Sequence, residues 1–515
     1  MLEIGKVLAE LGHTVEFATL DGQAHWLKDY DFVSKTYLMG PGPSDAEYEE
    51  HYLRMRKWDT SKGLAEVMNS KYLFDSGWTA EYKHLKAICE DEATKPDFML
   101  ADFFVEAVKD MHYQFQMPIA TVWPQMPFLM IPCSYIPGQP GFTLDMALTS
   151  ETMSMWSRIR NDLVVVHALP TILKWVRWTK QMRRRAGVNY DIPRQSKPDY
   201  LIFINSFFGL GIPRDLPPLV AAVGPILADT YPPLDPELSS FLHTHKKVLY
   251  IALGTHIIIS HADSIKIISG ILSALSSGLI DGVIWAVAKS GRQDLDRSHV
   301  FTYQDQQLVL GDLLDGKHAD WTFQFFAPQR AVLEHQNVVL YFTHGGGSSA
   351  NEALFHGKPA ICMGIFSDQI ANTARLVAGG VAESLNKFTF TGDELYGKIK
   401  LIVEDKEGLF ALNSRRLRNI ARVASRRKYL AADLIEEVLY DTELRIRDGK
   451  MIRPMHLQTA DMRMSIWKAR NYDIMATVTL SVLMTGSLAW WGTRFILGNK
   501  KAILTTIQSY AHRFI

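Results

Sequence analysis

The chain has 515 residues, enough for two or three domains with large cores. Lys plus Arg and Asp plus Glu both number 55, so the net charge is zero and nothing global points to nucleic acid or another polyanion. Cys89, Cys133 and Cys362 are isolated and odd in number, which excludes a disulfide framework and a zinc spacing. No Asn-x-Ser/Thr sequon occurs, which argues mildly against long residence in a secretory lumen.

The first stretch, MLEIGKVLAELGHTVEFATL, carries no signal-peptide pattern. Leu2, Val7, Leu8 and Leu11 recur at helical spacing with charges between them, Gly12 stops the helix, and HTVEFATL reads as a strand. An α/β sheet normally opens on a strand, whereas this chain opens on a helix. DFMLADFF and YLIFINSFF read as buried strands further on. Between them, LKWVRWTKQMRRR (173–185) reads as the solvated face of an ordinary helix, with a helix lying on a membrane surface as the alternative. The Pro-rich segment 212–238 reads as a linker between domains. Strands KVLYIALG, GVIWAVA, WTFQFFAP, VVLYFTH and PAICMGI then alternate with helical patterns, which predicts an α/β fold with parallel sheets. Residues 474–493 hold no charge over 20 positions, the length of a transmembrane helix. Trp490 and Trp491 suit the interface and Arg494 can snorkel, while Thr and Ser dilute the stretch enough to keep a buried core helix as the alternative. Lys468 and Arg470 before it, and Arg494, Lys500 and Lys501 after it, leave the orientation open.

The chemistry concentrates in YFTHGGGSSANEALFHGKPA (341–360), for which three readings stand side by side. Ser349-Ala350-Asn351-Glu352 fits a capping box, Ser349 capping a helix and Glu352 returning the bond. Gly345, Gly347 and Ala350 fit a degenerate dinucleotide pattern, with Asp368 about 20 residues on. The third reading is a nucleoside-diphosphate site. A strand ends at His344, the glycine turn and a helix N-terminus present amides to an anion, and Glu352 one turn in accepts from ribose hydroxyls.

The wider segment 325–376, from FFAPQRAVLEHQ to SDQIANTARL, resembles the signature of the UDP-dependent glycosyltransferases, with its internal spacing intact. The resemblance extends over nearly the whole chain, through the segment beginning CSYIPG at Cys133 and through INSFFGL and AAVGPIL, and is weakest between about 45 and 95. It implies a GT-B type fold, two facing Rossmann-like domains plus a C-terminal transmembrane helix. The expected division is an acceptor-binding domain over 1–225 that lacks its first strand, a linker over 226–243 and a UDP-sugar-binding domain over 244–445. A juxtamembrane segment over 446–473, a membrane helix over 474–497 and a short tail follow. Carried over residue by residue, Phe326 would stack on uracil where Trp is usual, and Gln329 would bond the ribose. His344, helped by Gly346, Ser348 and Ser349, would contact the diphosphate, and Glu352 would hold the ribose. Asp368 and Gln369 would grip the sugar, and Gly254 and Thr255 would form the first donor loop.

The resemblance further implies an inverting transfer of a hexose, glucose before glucuronate, to a hydroxyl of a small lipophilic acceptor. UDP-sugar is the co-substrate, with no essential metal and no other cofactor. A catalytic His oriented by an Asp is expected, and Asp102 in FMLADFFVEA matches the orienting acid; its bland reading is a loop acid that caps the next helix. The strand and loop that would carry the base His are not in this sequence, and His13, His25, His51, His84 and His112 do not match its position. Two expectations follow. Either Met1 is an internal methionine of a longer product with a signal sequence, or the protein binds a UDP-sugar without efficient turnover. The missing strand would leave an edge or gap in the first sheet. By the same resemblance the protein is expected to be single-pass at the endoplasmic reticulum, with a lumenal catalytic part if a signal peptide precedes Met1 and the orientation otherwise open; a homo-oligomer is left open, and the acceptor is not readable.

Overall fold

The computed structural model describes residues 1–59, 64–125, 153–190, 198–213, 215–254, 257–287, 292, 295–447 and 450–511. Thr255 and the whole segment from Cys133 to 152 therefore lie outside the described residues. Two compact units result, Met1–Met455 and His456–Ile515.

The larger unit holds two sets of parallel strands. In its first half β1 (Val15–Thr19) pairs with β2 (Val33–Leu38) as a separate two-stranded sheet. Strands β3 (Met99–Asp102), β4 (Ile119–Trp123), β5 (Leu201–Ile204) and β6 (Val220–Ala222) form a four-stranded sheet in chain order. Among the described residues these two sheets share no hydrogen bonds, and β3 lies on an edge. β6 comes from inside the Pro-rich segment. Its neighbours Pro217 and Pro218 sit ahead of the strand, where no ladder donor is needed, so part of that segment is sheet edge and not linker.

In the second half, β7 (Val248–Ala252), β8 (Gly282–Ala286), β11 (Trp321–Gln324), β12 (Val338–Thr343), β13 (Ala360–Cys362) and β14 (Ala382–Ser384) form one parallel sheet. A hairpin, β9 (Val300–Tyr303) and β10 (Gln306–Val309), stands outside it. The order is β11-β8-β7-β12-β13-β14. These strands are apolar without alternation because helices cover both faces. Leu249, Ile251, Leu340 and Phe342 pack on one side with the helices His261–Ser276 and Gly392–Glu404. Val248, Tyr250, Ala252 and Tyr341 pack on the other with Pro236–Thr244 and Gly347–His356. The chain leaves β7 in one direction and β12 in the other, so the loops at their carboxyl ends diverge and open a crevice.

The helix Lys428–Arg445 follows the second sheet in sequence and packs on the helix Leu2–Glu10 of the first half. Burial works against the Lys428 ammonium, but Asp229 at 2.7 Å and Glu3 at 3.4 Å outweigh it and hold its pKa above normal. His13 meets Glu436 at 3.0 Å on the same seam.

The smaller unit contains the helix Tyr472–Gly498, 27 residues long and apolar enough to cross a membrane. At 1.5 Å per residue it measures about 40 Å, more than the ~30 Å of a hydrocarbon core. Its large side chains, from Ile474 to Leu497, are exposed rather than packed as a buried core helix.

Candidate active site

The crevice between β7 and β12 is lined by backbone shaped around one imidazole. β7 runs out into Gly254 at φ +90°, and β12 runs out into His344. A Cβ on Gly254 would lie 2.9 Å from the His344 ring, and a Cβ on Gly346 would overlap the same ring from the other side. Glycine at both positions is therefore what admits His344. Gly345 at φ +77° reverses the chain between them, with Thr373 Oγ1 2.7 Å from where its Cβ would sit.

The helix begins at Gly347, with Gly346 as its N-cap and no side-chain cap. This corrects the capping box. Ser349 sits inside the first turn and is buried against β12, near the Tyr341 hydroxyl. Glu352 does not reach back to a cap. The physical reason is the three-glycine turn, which lets the helix start two residues earlier than Ser349. The first amide is taken instead by a neighbour: Asp368, the first residue of Asp368–Ala378, accepts from Gly347 N–H at 3.2 Å. Asn372 Nδ2 donates to the same oxygen at 3.2 Å. Burial pushes the Asp368 carboxyl up to about 6 despite these donors. Ser348 is the exposed serine of the pair and faces away from the core.

Beside this turn stands a polar wall that local sequence gives no sign of. Tyr250 of β7 and Tyr341 of β12 stack with ring centres 5.3 Å apart. Their hydroxyls donate to Gln329 Oε1 at 3.3 and 3.1 Å. Gln329 Nε2 in turn donates to Glu352 Oε2 at 2.5 Å. Gln329, expected to bond the ribose, is thus occupied in aiming Glu352, whose other oxygen takes no hydrogen bond from the described residues. Burial raises the Glu352 carboxyl, with Gln329 and the Arg330 charge opposing. Gln369 is likewise partly committed, its Oε1 accepting from Ile365 N–H at 3.1 Å and Phe366 N–H at 3.2 Å. Phe326, just past β11, is 76% exposed, and Phe325 beside it is 62% exposed with the Arg292 guanidinium 4.0 Å from its ring centre.

The first half contributes from the carboxyl ends of β3 and β4. Asp102 Oδ1 accepts from Phe104 N–H at 3.0 Å and closes a turn; it does not cap the next helix, Ala107–Phe115, whose N-cap is Glu106. Burial raises its carboxyl. Phe103 packs on Trp123 at 4.5 Å. Two polar contacts join the halves here: Arg375 Nη1 donates to Gln125 Oε1 at 2.9 Å, and Asn351 Nδ2 to Asn205 O at 2.8 Å. Pro124 O lies 3.2 Å from where a Cβ on Gly347 would be, so the glycine turn abuts the end of β4. Gly254, His344 and Gly346, the Gln329–Glu352 pair, and Asp368 and Gln369 gather round the glycine turn. Phe326 and Ser348 are exposed, Ser349 is drawn into the core, and Asp102 stands on the other half.

Residues 117–421 match the family model described as "UDP-glucoronosyl and UDP-glucosyl transferase". The chain is 42% identical over 521 residues to the UDP-glycosyltransferase FPY2 of Fusarium mangiferae, covering 95% of this chain and 94% of that one. It is 41% identical over 498 residues to a UDP-glycosyltransferase of Talaromyces amestolkiae, with the same coverage of 95% and 94%. Among solved structures, a UDP-glucose: anthocyanidin 3-O-glucosyltransferase in complex with UDP superposes with a TM-score of 0.56 at 14% identity, over 84% of this chain and 95% of that one. At that identity the likeness carries the fold alone, two facing Rossmann-like halves of the GT-B type.

Proposed function

This chain belongs to the UDP-glucuronosyl and UDP-glucosyl transferase family, a glycosyltransferase of sugar from UDP-sugar to an acceptor, and from that premise we propose that it moves glucose to a hydroxyl of a small lipophilic molecule with inversion at the anomeric carbon. The observation that carries the donor reading is the glycine-framed His344 beside the Tyr250/Tyr341–Gln329–Glu352 wall. Phe326 is the face for uracil and Glu352 the acceptor for ribose hydroxyls. His344, Ser348 and the amides of the glycine turn face the diphosphate, with Gly254 at its other side. Ser349, buried behind this turn, supports it by packing. Asp368 and Gln369 meet the sugar. Glucose is favoured over a sugar acid because Arg375, the cation on that helix, is engaged by Gln125 and Asn372.

In the transfer, the acceptor oxygen bonds to the anomeric carbon as the bond from that carbon to the β-phosphate oxygen breaks. The acceptor proton passes to a base, whose cationic form Asp102 would stabilise. The electron pair leaves with UDP, and the helix N-terminus and the fixed donors absorb its charge without a metal step. We further propose that Tyr472–Gly498 anchors the protein in a bilayer of the endoplasmic reticulum in a single pass.

UDP release from UDP-glucose and from UDP-glucuronate across a panel of phenols and alcohols, with the product anomer read by NMR, tests the proposal. A retained configuration, or turnover of glucuronate alone, would overturn it. A second reading, a UDP-sugar-binding protein without turnover, draws on one observation: among the described residues no histidine bonds Asp102. Tight UDP binding with no release from any UDP-sugar would select it.

A further inference from the structure

The helices Met155–Asp162 and Val164–Arg185 run on from one another through Leu163. One side of the longer helix belongs to the first half. Ala168, Thr179 and Arg183 are buried, Trp175 Nε1 donates to Asp75 Oδ2 at 2.7 Å, and the Trp178 ring packs edge-on against Tyr72 at 5.0 Å. The tryptophans of the basic run therefore face the protein and are not interfacial anchors. The opposite side is apolar and open. Trp156, Ile159, Leu163, Val166, Leu169 and Leu173 are all exposed, Trp156 by 73% and Val166 by 61%. They recur every three or four residues and so form one stripe along both helices. Past Leu173 the same side turns cationic, with Lys174, Arg177, Arg184 and Arg185 exposed. No Asp or Glu occurs from 163 to 190.

We propose that this stripe docks on an anionic lipid surface, the apolar side chains entering the boundary between headgroups and acyl chains and the four cations meeting lipid phosphates. A continuous apolar face of this length on a soluble surface calls for a partner. Charge decides which one. A second copy would offer the same acid-free cationic stretch, whereas an anionic bilayer supplies the complement that the chain lacks. The proposal is independent of the transfer reading. It is also independent of Tyr472–Gly498, since it concerns how the first half meets lipid rather than what tethers the chain.

The test uses the full chain in phosphatidylcholine vesicles with and without phosphatidylserine. An environment-sensitive label is placed at Val166→Cys or, for comparison, at exposed Leu401→Cys on the second half, both in a Cys133→Ser background. The expected result is a blue-shifted label at 166 that brominated acyl chains quench, more strongly with phosphatidylserine, while the label at 401 stays in water. Replacing Lys174→Glu and Arg177→Glu should weaken that lipid response about five-fold per lost cation with unfolding temperature unchanged. A label at 166 that stays in water while the protein floats with the vesicles overturns the proposal and leaves the anchor standing. A blue shift that brominated lipid does not quench and that grows with protein concentration overturns it in favour of a second copy.

Discussion

The two halves of the larger unit hold their parallel strands differently, and the difference sets how each makes its part of the crevice. In the second half six strands form one sheet, and the two loops at its switch point are placed by backbone alone: glycines at 254, 345 and 346 bring the chain round the His344 ring. In the first half the strands fall into a pair and a set of four, and Asp102 sits at the end of an edge strand with a turn amide as its partner. A donor-side geometry written into backbone clearances is rigid and sensitive to a single methyl group. An acceptor-side geometry made of loop side chains is adjustable, and its acid acts only through what it orients.

Substitutions at four positions separate these two kinds of geometry. The largest effect should come from Asp102→Asn, a loss of about 10³ in kcat with UDP affinity unchanged, read by initial rates and by calorimetric titration with UDP. A parallel loss of UDP affinity would mean that the halves are not separable in this way. Next, Gly346→Ala should push His344 out of its slot and cost about 10² in UDP affinity with an unchanged far-ultraviolet spectrum. Retained affinity would remove His344 from the diphosphate. Phe326→Ala deletes an exposed ring, so the unfolding temperature should hold while the donor KM rises about tenfold, and Phe326→Trp should lower it.

The smallest effect is a pair of opposed pH slopes at Asp368. Its carboxyl titrates at about 6 when folded, above the usual carboxylate value of 3.8. Between those values the folded chain holds the proton and the unfolded chain does not. The stability linked to Asp368 is therefore complete below about 4 and is lost as pH rises through about 6. Donor affinity should move the other way, severalfold higher once the carboxylate forms. Asp368→Asn should flatten both slopes, seen as unfolding temperature and donor KM across that window. If the wild-type slopes persist in the variant, another group is responsible.

Most of the expected donor residues could be named because they lie within one run, 325–376, where strand, glycine turn and helix are all local; Gly254 lies outside it. The capping box was legible and mistaken. The motif Ser-x-x-Glu fits a helix start wherever it occurs, and only the turn angles at Gly345 and Gly346 show that the helix has already begun. The bracing of Gln329 by Tyr250 and Tyr341 was invisible, since Tyr250 lies 79 residues from its partner and reads as one more apolar strand position. The exposed stripe from Trp156 to Leu173 was hidden for a related reason. An apolar helical face looks the same in sequence whether it meets a core or open solvent.

The sequence by itself determined the alternation of strands and helices, the donor run and the long apolar helix near the C-terminus, because each rests on periodicity or on spacing within a few turns of chain. The tertiary structure decided which of those residues face the crevice. It drew Ser349 into the core and left Ser348 outside, turned Gln329 from a ligand toward a support for Glu352, and gave Asp368 the first amide of the neighbouring helix. These outcomes depend on which strands lie side by side, and strand order in a parallel sheet is set by crossovers whose ends are far apart in the chain.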